Sequence, residues 1–176
     1  MRSILLTGIA AAALLFQAGT AQAQDRTPCG AGLVCASNPD AVMKAMEKAG
    51  LKPKKSTDND GDPMIESDAA TYHFQVYFYG CEQHRNCDSL RFEVAFRKEP
   101  DNTAELANKW NANQRFIHLG VKPDGRMVAA YDLAMIGGTT ERNFADVLDW
   151  WKSQLEEMAL FFDKETRPDP LKGKGG

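Results

Sequence analysis

The densest group of potentially reactive side chains is Cys81, His84 and Cys87, spaced C-x2-H-x2-C. Two thiolates and an imidazole could hold a zinc ion, but a structural zinc site wants a fourth ligand, and none stands nearby in the sequence. The other two cysteines, Cys29 and Cys35, repeat the same C-x5-C separation. Four cysteines allow three pairings. The two equal local spacings favour Cys29–Cys35 and Cys81–Cys87, each closing a small ring, so the disulfide reading is preferred and no metal is expected. Each such ring stabilises by about 2 kcal/mol in the loop-entropy model, which makes it a local staple.

The remaining residues give little sign of catalysis. His73 and His118 fall on alternating, strand-like stretches and read as surface or satisfied strand residues. No G-x-S-x-G, H-E-x-x-H, P-loop, G-x-G-x-x-G or C-x-x-C motif occurs. Asp and Glu are plentiful, yet no pair is marked by its spacing for acid–base work. No catalytic residue and no cofactor is therefore assigned. A hydrolase or metal-dependent enzyme, with a site assembled across the fold, stays as the alternative.

Disulfides require an oxidising compartment, and the N-terminus supplies a route to one. Arg2 is followed by an apolar run from Ile4 to Phe16 and by Ala21-Gln22-Ala23, a small-x-small cleavage site. The run is about 13 residues, short of the roughly 20 needed to span a bilayer. Residues 1–23 thus read as a secretory signal peptide, and the mature chain as periplasmic without a membrane span. The full chain has 176 residues and net charge −3; cleavage removes the positive charge of Arg2 and leaves −4. A mildly acidic chain with no visible basic face does not suggest a nucleic-acid partner.

The mature chain of 153 residues suits one domain. Residues 24–37, with Pro28, Gly30 and Gly32, read as irregular. Asn38 caps and Pro39 begins a first helix, with Val42, Ala45, Met46 and Ala49 on one face and Gly50 at its end. Two short extended pieces follow in 51–67, joined by Asp58-Asn59-Asp60-Gly61-Asp62-Pro63. From Tyr72 to Tyr79 the even residues share one face, while His73, Gln75, Tyr77 and Tyr79 share the other. Leu90, Phe92, Val94 and Phe96 alternate in the same way. The two stretches predict a hairpin clipped by Cys81–Cys87. A second helix is expected from about Asn102, with Glu105 completing a capping box. A second hairpin turns at Pro123-Asp124-Gly125, and Met127, Ala129, Tyr131, Leu133 and Met135 line one face of its return strand. Gly137-Gly138 breaks the chain, Thr139 caps the last helix, and Phe144, Val147, Leu148, Trp151, Leu155, Met158 and Phe162 recur at helical spacing. The expected domain spans 38–163, and 164–176 reads as a frayed tail.

The order is α-β-β-β-β-α-β-β-α, with no βαβ rhythm. It predicts an α+β domain: an antiparallel sheet of five to six strands with three helices against it. Trp150 and Phe161 lie three helical turns apart, off the core stripe of the last helix. With the outward Tyr77 and Tyr79 they are the candidates for a partner or dimer surface.

Several features, taken in order, resemble the YbjN domain family. These are Phe78-Tyr79-Gly80-Cys81 through Cys87 with Ser89-Leu90-Arg91-Phe92; Asn108-Lys109-Trp110-Asn111 with Arg115-Phe116; and Asp124-Gly125, Asp132-Leu133 and Gly137-Gly138-Thr139-Thr140. The match covers most of the mature chain. The resemblance implies a fold similar to type III secretion chaperones and a non-enzymatic role described loosely as sensory transduction or stress regulation. It transfers no catalytic residue. Asn108, Trp110, Asn111, Asp132, Gly137 and Gly138 read as structural, with Trp110 anchoring the second helix and the two asparagines bonding to backbone near its end. The signal peptide argues against a cytoplasmic regulatory role and, where ATP is absent, against ATP-driven chaperoning. The function expected is a non-catalytic exported binding or chaperone-like module linked to envelope stress or sensory regulation, whose partner is another protein or a second copy.

Overall fold

The structure is a computed structural model and describes residues 29–166. The expected signal peptide and residues 167–176 of the expected tail lie outside the described residues. Three helices are present: α1 (Pro39–Lys48), α2 (Ala104–Asn111) and α3 (Glu141–Thr166). The strands are β1 (Leu33–Val34), β2 (Lys54–Thr57), β3 (Pro63–Ala69), β4 (Tyr72–Tyr79), β5 (Ser89–Ala95), β6 (His118–Val121), β7 (Met127–Ala134) and β8 (Thr139–Thr140). β2 to β7 form a six-stranded sheet in the order β2-β3-β4-β5-β7-β6, antiparallel at every pairing. The domain is α+β, in the order read from the sequence, with one addition. β1 and β8 pair in a separate two-stranded sheet, so the segment read as irregular carries a short strand.

The alternation of apolar residues decides which face of the sheet is covered. Phe74, Val76 and Phe78 of β4 and Leu90, Phe92 and Val94 of β5 are buried. Trp151 of α3 meets Phe74 at 5.5 Å and Phe92 at 5.4 Å between ring centroids, and Phe144 meets Phe92 at 6.4 Å. Such aromatic contacts add about 0.5–1.5 kcal/mol each beyond area burial. α1 joins the same layer through Val42 and Met46, both fully buried. Lys48 Nζ donates to Glu141 at 2.7 Å, and Lys152 Nζ donates to the Ala49 carbonyl at 3.1 Å, tying α1 to α3.

The helix ends follow local chemistry. Asn38 Oδ1 accepts from Ala41 N–H at 3.2 Å. Gly50, at φ +81°, lets its own N–H reach the Glu47 carbonyl and Leu51 N–H the Met46 carbonyl, the glycine-closed helix end of a Schellman motif. Two caps differ from the reading by one residue. Thr103, not Asn102, caps α2, its Oγ1 accepting from Leu106 N–H at 3.1 Å; Asn102 instead donates to the Arg97 carbonyl. Thr140, not Thr139, receives Asn143 N–H at 3.1 Å, while the Thr139 hydroxyl accepts from the Asn143 side chain at 2.8 Å. The last helix also runs to Thr166, three residues into the expected tail.

Candidate binding faces

Both cysteine pairs are disulfides, Cys29–Cys35 and Cys81–Cys87. The second closes the loop between β4 and β5, which has Gln83, His84 and Asn86 at positive φ. Each left-handed non-glycine residue costs roughly 1–2 kcal/mol, so the loop needs external constraint. One constraint is the bond itself. Another is His84, whose Nδ1 lies 2.8 Å from Asp62 Oδ1 in the β2–β3 turn, with its ring against Gly61. His84 is therefore a tether between two turns. His73 pairs similarly with Asp68 at 2.9 Å, and His118 is exposed. Neither histidine–aspartate pair hydrogen-bonds to a hydroxyl or thiol among the described residues.

The sheet face opposite α1 and α3 carries Tyr77 and Tyr79, with ring centroids 6.4 Å apart. Beside them lies a charge network that alternation alone does not reveal. Glu93 is 7 % exposed, and burying a lone carboxylate is costly unless it is paired. Arg91 Nε donates to Glu93 at 3.0 Å, Lys122 Nζ reaches its other oxygen at 3.3 Å, and Arg91 Nη1 also contacts both Asp132 oxygens at 3.3 Å. Strand register supplies the positions: Tyr77 is opposite Arg91, and Arg91 is opposite Asp132. Burial raises the Tyr77 hydroxyl above its ordinary value, and the charges of Glu93, Tyr79, Asp58 and Glu66 push the same way. Burial also raises Tyr79, against the opposing pull of Arg91. Both phenols stay protonated near neutral pH and act as hydrogen-bonding, apolar-faced contacts rather than as bases.

The two aromatic residues of α3 do different work. Phe161 meets Trp110 at 5.4 Å and packs α3 on α2. Trp150 is 43 % exposed and rests on Phe116 at 5.1 Å, which in turn meets Tyr131 at 5.6 Å. The Arg115 guanidinium lies 4.8 Å from the Phe116 ring centre. Phe116 itself has φ +65°, with Ile117 N–H bonded to the Arg115 carbonyl at 2.8 Å. A γ-turn with positive φ is the rare, strained kind, and for a bulky residue it costs on the order of 1–3 kcal/mol. In the sequence Arg115-Phe116 carries only a family likeness; its conformation has no signal there.

The residues read as structural occupy defined places. Trp110 Nε1 donates to the Ile117 carbonyl at 2.8 Å, and buried Gln154 accepts from Ile117 N–H at 3.0 Å. Asn111 bonds both backbone groups of Leu119, whereas Asn108 makes no side-chain hydrogen bond among the described residues. Gly137 and Gly138 have φ +77° and +76°. A Cβ at Gly138 would lie 2.6 Å from Cys35 Sγ, while one at Gly137 would meet nothing within 4 Å. A groove of about 490 Å³ lies between Tyr72, Phe96 and Phe162, rimmed by Arg97, Glu99 and Asp101. Among the described residues no cluster of His, Cys, Asp or Glu could hold a metal ion, and no helix is long and apolar enough to cross a membrane.

This sheet, its three helices and the order of its motifs agree with comparison to known proteins. The YbjN family model, "Putative bacterial sensory transduction regulator", matches residues 38–164. The chain belongs to the YbjN family. The crystal structure of YbjN from E. coli is similar in fold, with a TM-score of 0.56 at 14 % identity, covering 75 % of this chain and 95 % of that one. No curated protein matches the chain in sequence. The family is described as a regulator and not as an enzyme.

Proposed function

We propose that the chain is an exported, non-catalytic module that binds another protein through the helix-free face of its sheet and the adjoining exposed aromatic surface. One observation carries this reading. α1 and α3 cover one face, while the other presents Tyr77 and Tyr79 beside the Arg91–Glu93–Lys122–Asp132 network. Tyrosine and arginine, with tryptophan, dominate the energetics of protein interfaces, and Trp150 of α3 adds an exposed aromatic on the other side of the sheet. Phe161 is taken up in packing α3 on Trp110 of α2. The two disulfides support an oxidising compartment, and with the N-terminal pattern they support periplasmic location. A regulatory or chaperone-like role in the envelope fits a family described as a signal regulator.

The test is in-cell cross-linking of the tagged mature chain, comparing native protein with Tyr77→Ser/Tyr79→Ser. One or two reproducible envelope partners, lost in the double variant, are the expected outcome. A broad set of partly unfolded proteins would instead indicate chaperone-like holding. Enzymatic turnover abolished by a single polar substitution would overturn the reading.

A further inference from the structure

β7 is paired along only part of its outer edge. Phe96 N–H bonds to the Met127 carbonyl, and Met135 N–H to the Asp88 carbonyl. In this register the odd residues of β7 turn their backbone groups toward β5. The even residues turn theirs the other way, where β6 pairs with Met127–Ala130 and no further. Asp132 and Ala134 lie beyond β6, and both are exposed. Their N–H and C=O groups face outward with no partner among the described residues.

Phe116 is the reason the edge is open. Continued as a strand, the chain would place Phe116 opposite Asp132, two residues beyond the His118–Ala130 pair. The strained γ-turn at Phe116 instead carries Arg115 away from β7 and lays the Phe116 ring against Trp150 and Tyr131. The same residue thus ends β6, exposes the edge and builds an aromatic platform beside it.

We propose that the Asp132–Ala134 edge takes a short extended peptide as an added strand continuing the line of β6, with a basic C-terminal side chain facing Asp132 and the apolar residue before it turned to the Phe116–Tyr131–Trp150 platform. Strand alternation sets this pattern. A residue opposite Asp132 projects to the same face as its carboxylate, which remains 67 % exposed despite Arg91. The place opposite Tyr131 belongs to Ile117, just ahead of β6, so the residue opposite Leu133 is the one that projects to the platform face. Burial raises the Tyr131 hydroxyl and the nearby Asp146 carboxylate pushes the same way, so acid stands on both sides of the edge and favours a basic strand. The inference rests on the protein-binding reading and names one means of contact.

The probe is the peptide acetyl-Val-Thr-Val-Lys-amide, whose C-terminal lysine falls opposite Asp132 and abuts the start of β6, with the full mature chain. Slowed hydrogen exchange at the Asp132 and Ala134 amides is expected, with a change in tryptophan emission. Trp150 reports this, because Trp110 and Trp151 are buried. A peptide carrying a methyl on the lysine backbone nitrogen keeps the side chains but blocks the strand, and should bind at least about tenfold more weakly. Ala134→Pro removes an edge donor where proline is tolerated, and Trp150→Ala removes the platform; each should weaken the probe about tenfold. Equal binding by the methylated peptide, or no protection of the two amides, would overturn the proposal. Protection that rises with protein concentration without peptide would assign the edge to a second copy and also overturn it. A partner captured through Tyr77 and Tyr79 while the edge amides stay unprotected would sink the edge alone and leave the protein-binding reading intact.

Discussion

The side-chain amide of Asn111 closes both backbone groups of Leu119: Oδ1 accepts from the Leu119 N–H at 2.9 Å and Nδ2 donates to its carbonyl at 2.9 Å. Leu119 sits on the outer strand of the sheet, and its neighbours His118 and Gly120 are opposite Ala130 and Val128 of β7. One asparagine therefore stands in for a seventh strand, and α2 is fastened to the edge it protects. Asn111→Ala leaves two partly buried backbone groups unpaired and should cost about 2 kcal/mol. Asn111→Asp keeps the acceptor but sets an oxygen against the Leu119 carbonyl, so it should cost at least as much. Urea unfolding of both variants checks this; a change within about 0.5 kcal/mol, as at an ordinary surface site, would contradict it.

Gly137 and Gly138 share a left-handed backbone, yet they should respond differently to alanine. At Gly137 the new Cβ enters open space, so the change should cost only the conformational penalty, about 1–2 kcal/mol. At Gly138 the Cβ would stand 2.6 Å from Cys35 Sγ and 3.2 Å from the Val34 carbonyl oxygen. These atoms belong to the disulfide and to β1, which have little room to move. Gly138→Ala should exceed Gly137→Ala by at least about 1 kcal/mol, read as the difference in unfolding midpoints at a common slope. Equal costs would mean that the small sheet yields to the methyl group.

Much of this architecture is legible in the sequence because it depends on alternation and on short-range chemistry. The period-two runs at Tyr72–Tyr79 and Leu90–Phe96 fix which residues face the core, and the asparagine, proline and glycine around α1 fix its ends. What escapes is whatever depends on a distant partner. Glu93 sits on the polar face of an alternating strand and is buried because Arg91 and Lys122 close over it. β1 and β8 are two residues each and exist only through one another. Thr139 looks like a cap, yet the next threonine takes that role, and both are drawn into a strand by Leu33 and Val34. Phe116 bends against its own preference because Ile117 is held on both sides by Trp110 and Gln154. The candidate surface was legible as outward tyrosines; the open edge beside it was not, since no local pattern records where a strand stops.

The tie between α1 and α3 should weaken in acid. The Lys48 ammonium, which donates to Glu141 and sits beside it, holds the Glu141 carboxyl below its ordinary 4.5, with Lys44 adding to the effect. A carboxylate lowered by folding stabilises above its unfolded value, and that contribution disappears as pH falls through the folded value. The stability difference between native protein and Glu141→Gln should thus be constant above about pH 4.5 and shrink below it. A difference independent of pH through that range would show that Lys48 and Glu141 do not interact in solution. Because the pair is exposed, added salt should reduce the difference as well.

Protein recovered from the periplasm should begin at Gln24, if cleavage follows Ala21-Gln22-Ala23, and should resist alkylation without reductant, since Cys29–Cys35 and Cys81–Cys87 leave no free thiol among the described residues. The second bond has the larger structural task, because three left-handed residues lie within its ring. Replacing Cys81 and Cys87 with alanine should cost about 2 kcal/mol and free His84 from Asp62. The pair is already exposed at His84, so its release should be read from the His84 ring signals by NMR rather than from stability. If the double-alanine variant keeps native stability and an ordered His84, the loop holds its shape without the bond. Alkylation of Cys81 and Cys87 without reductant would mean that this pair is open in the cell and would make metal content the next quantity to measure.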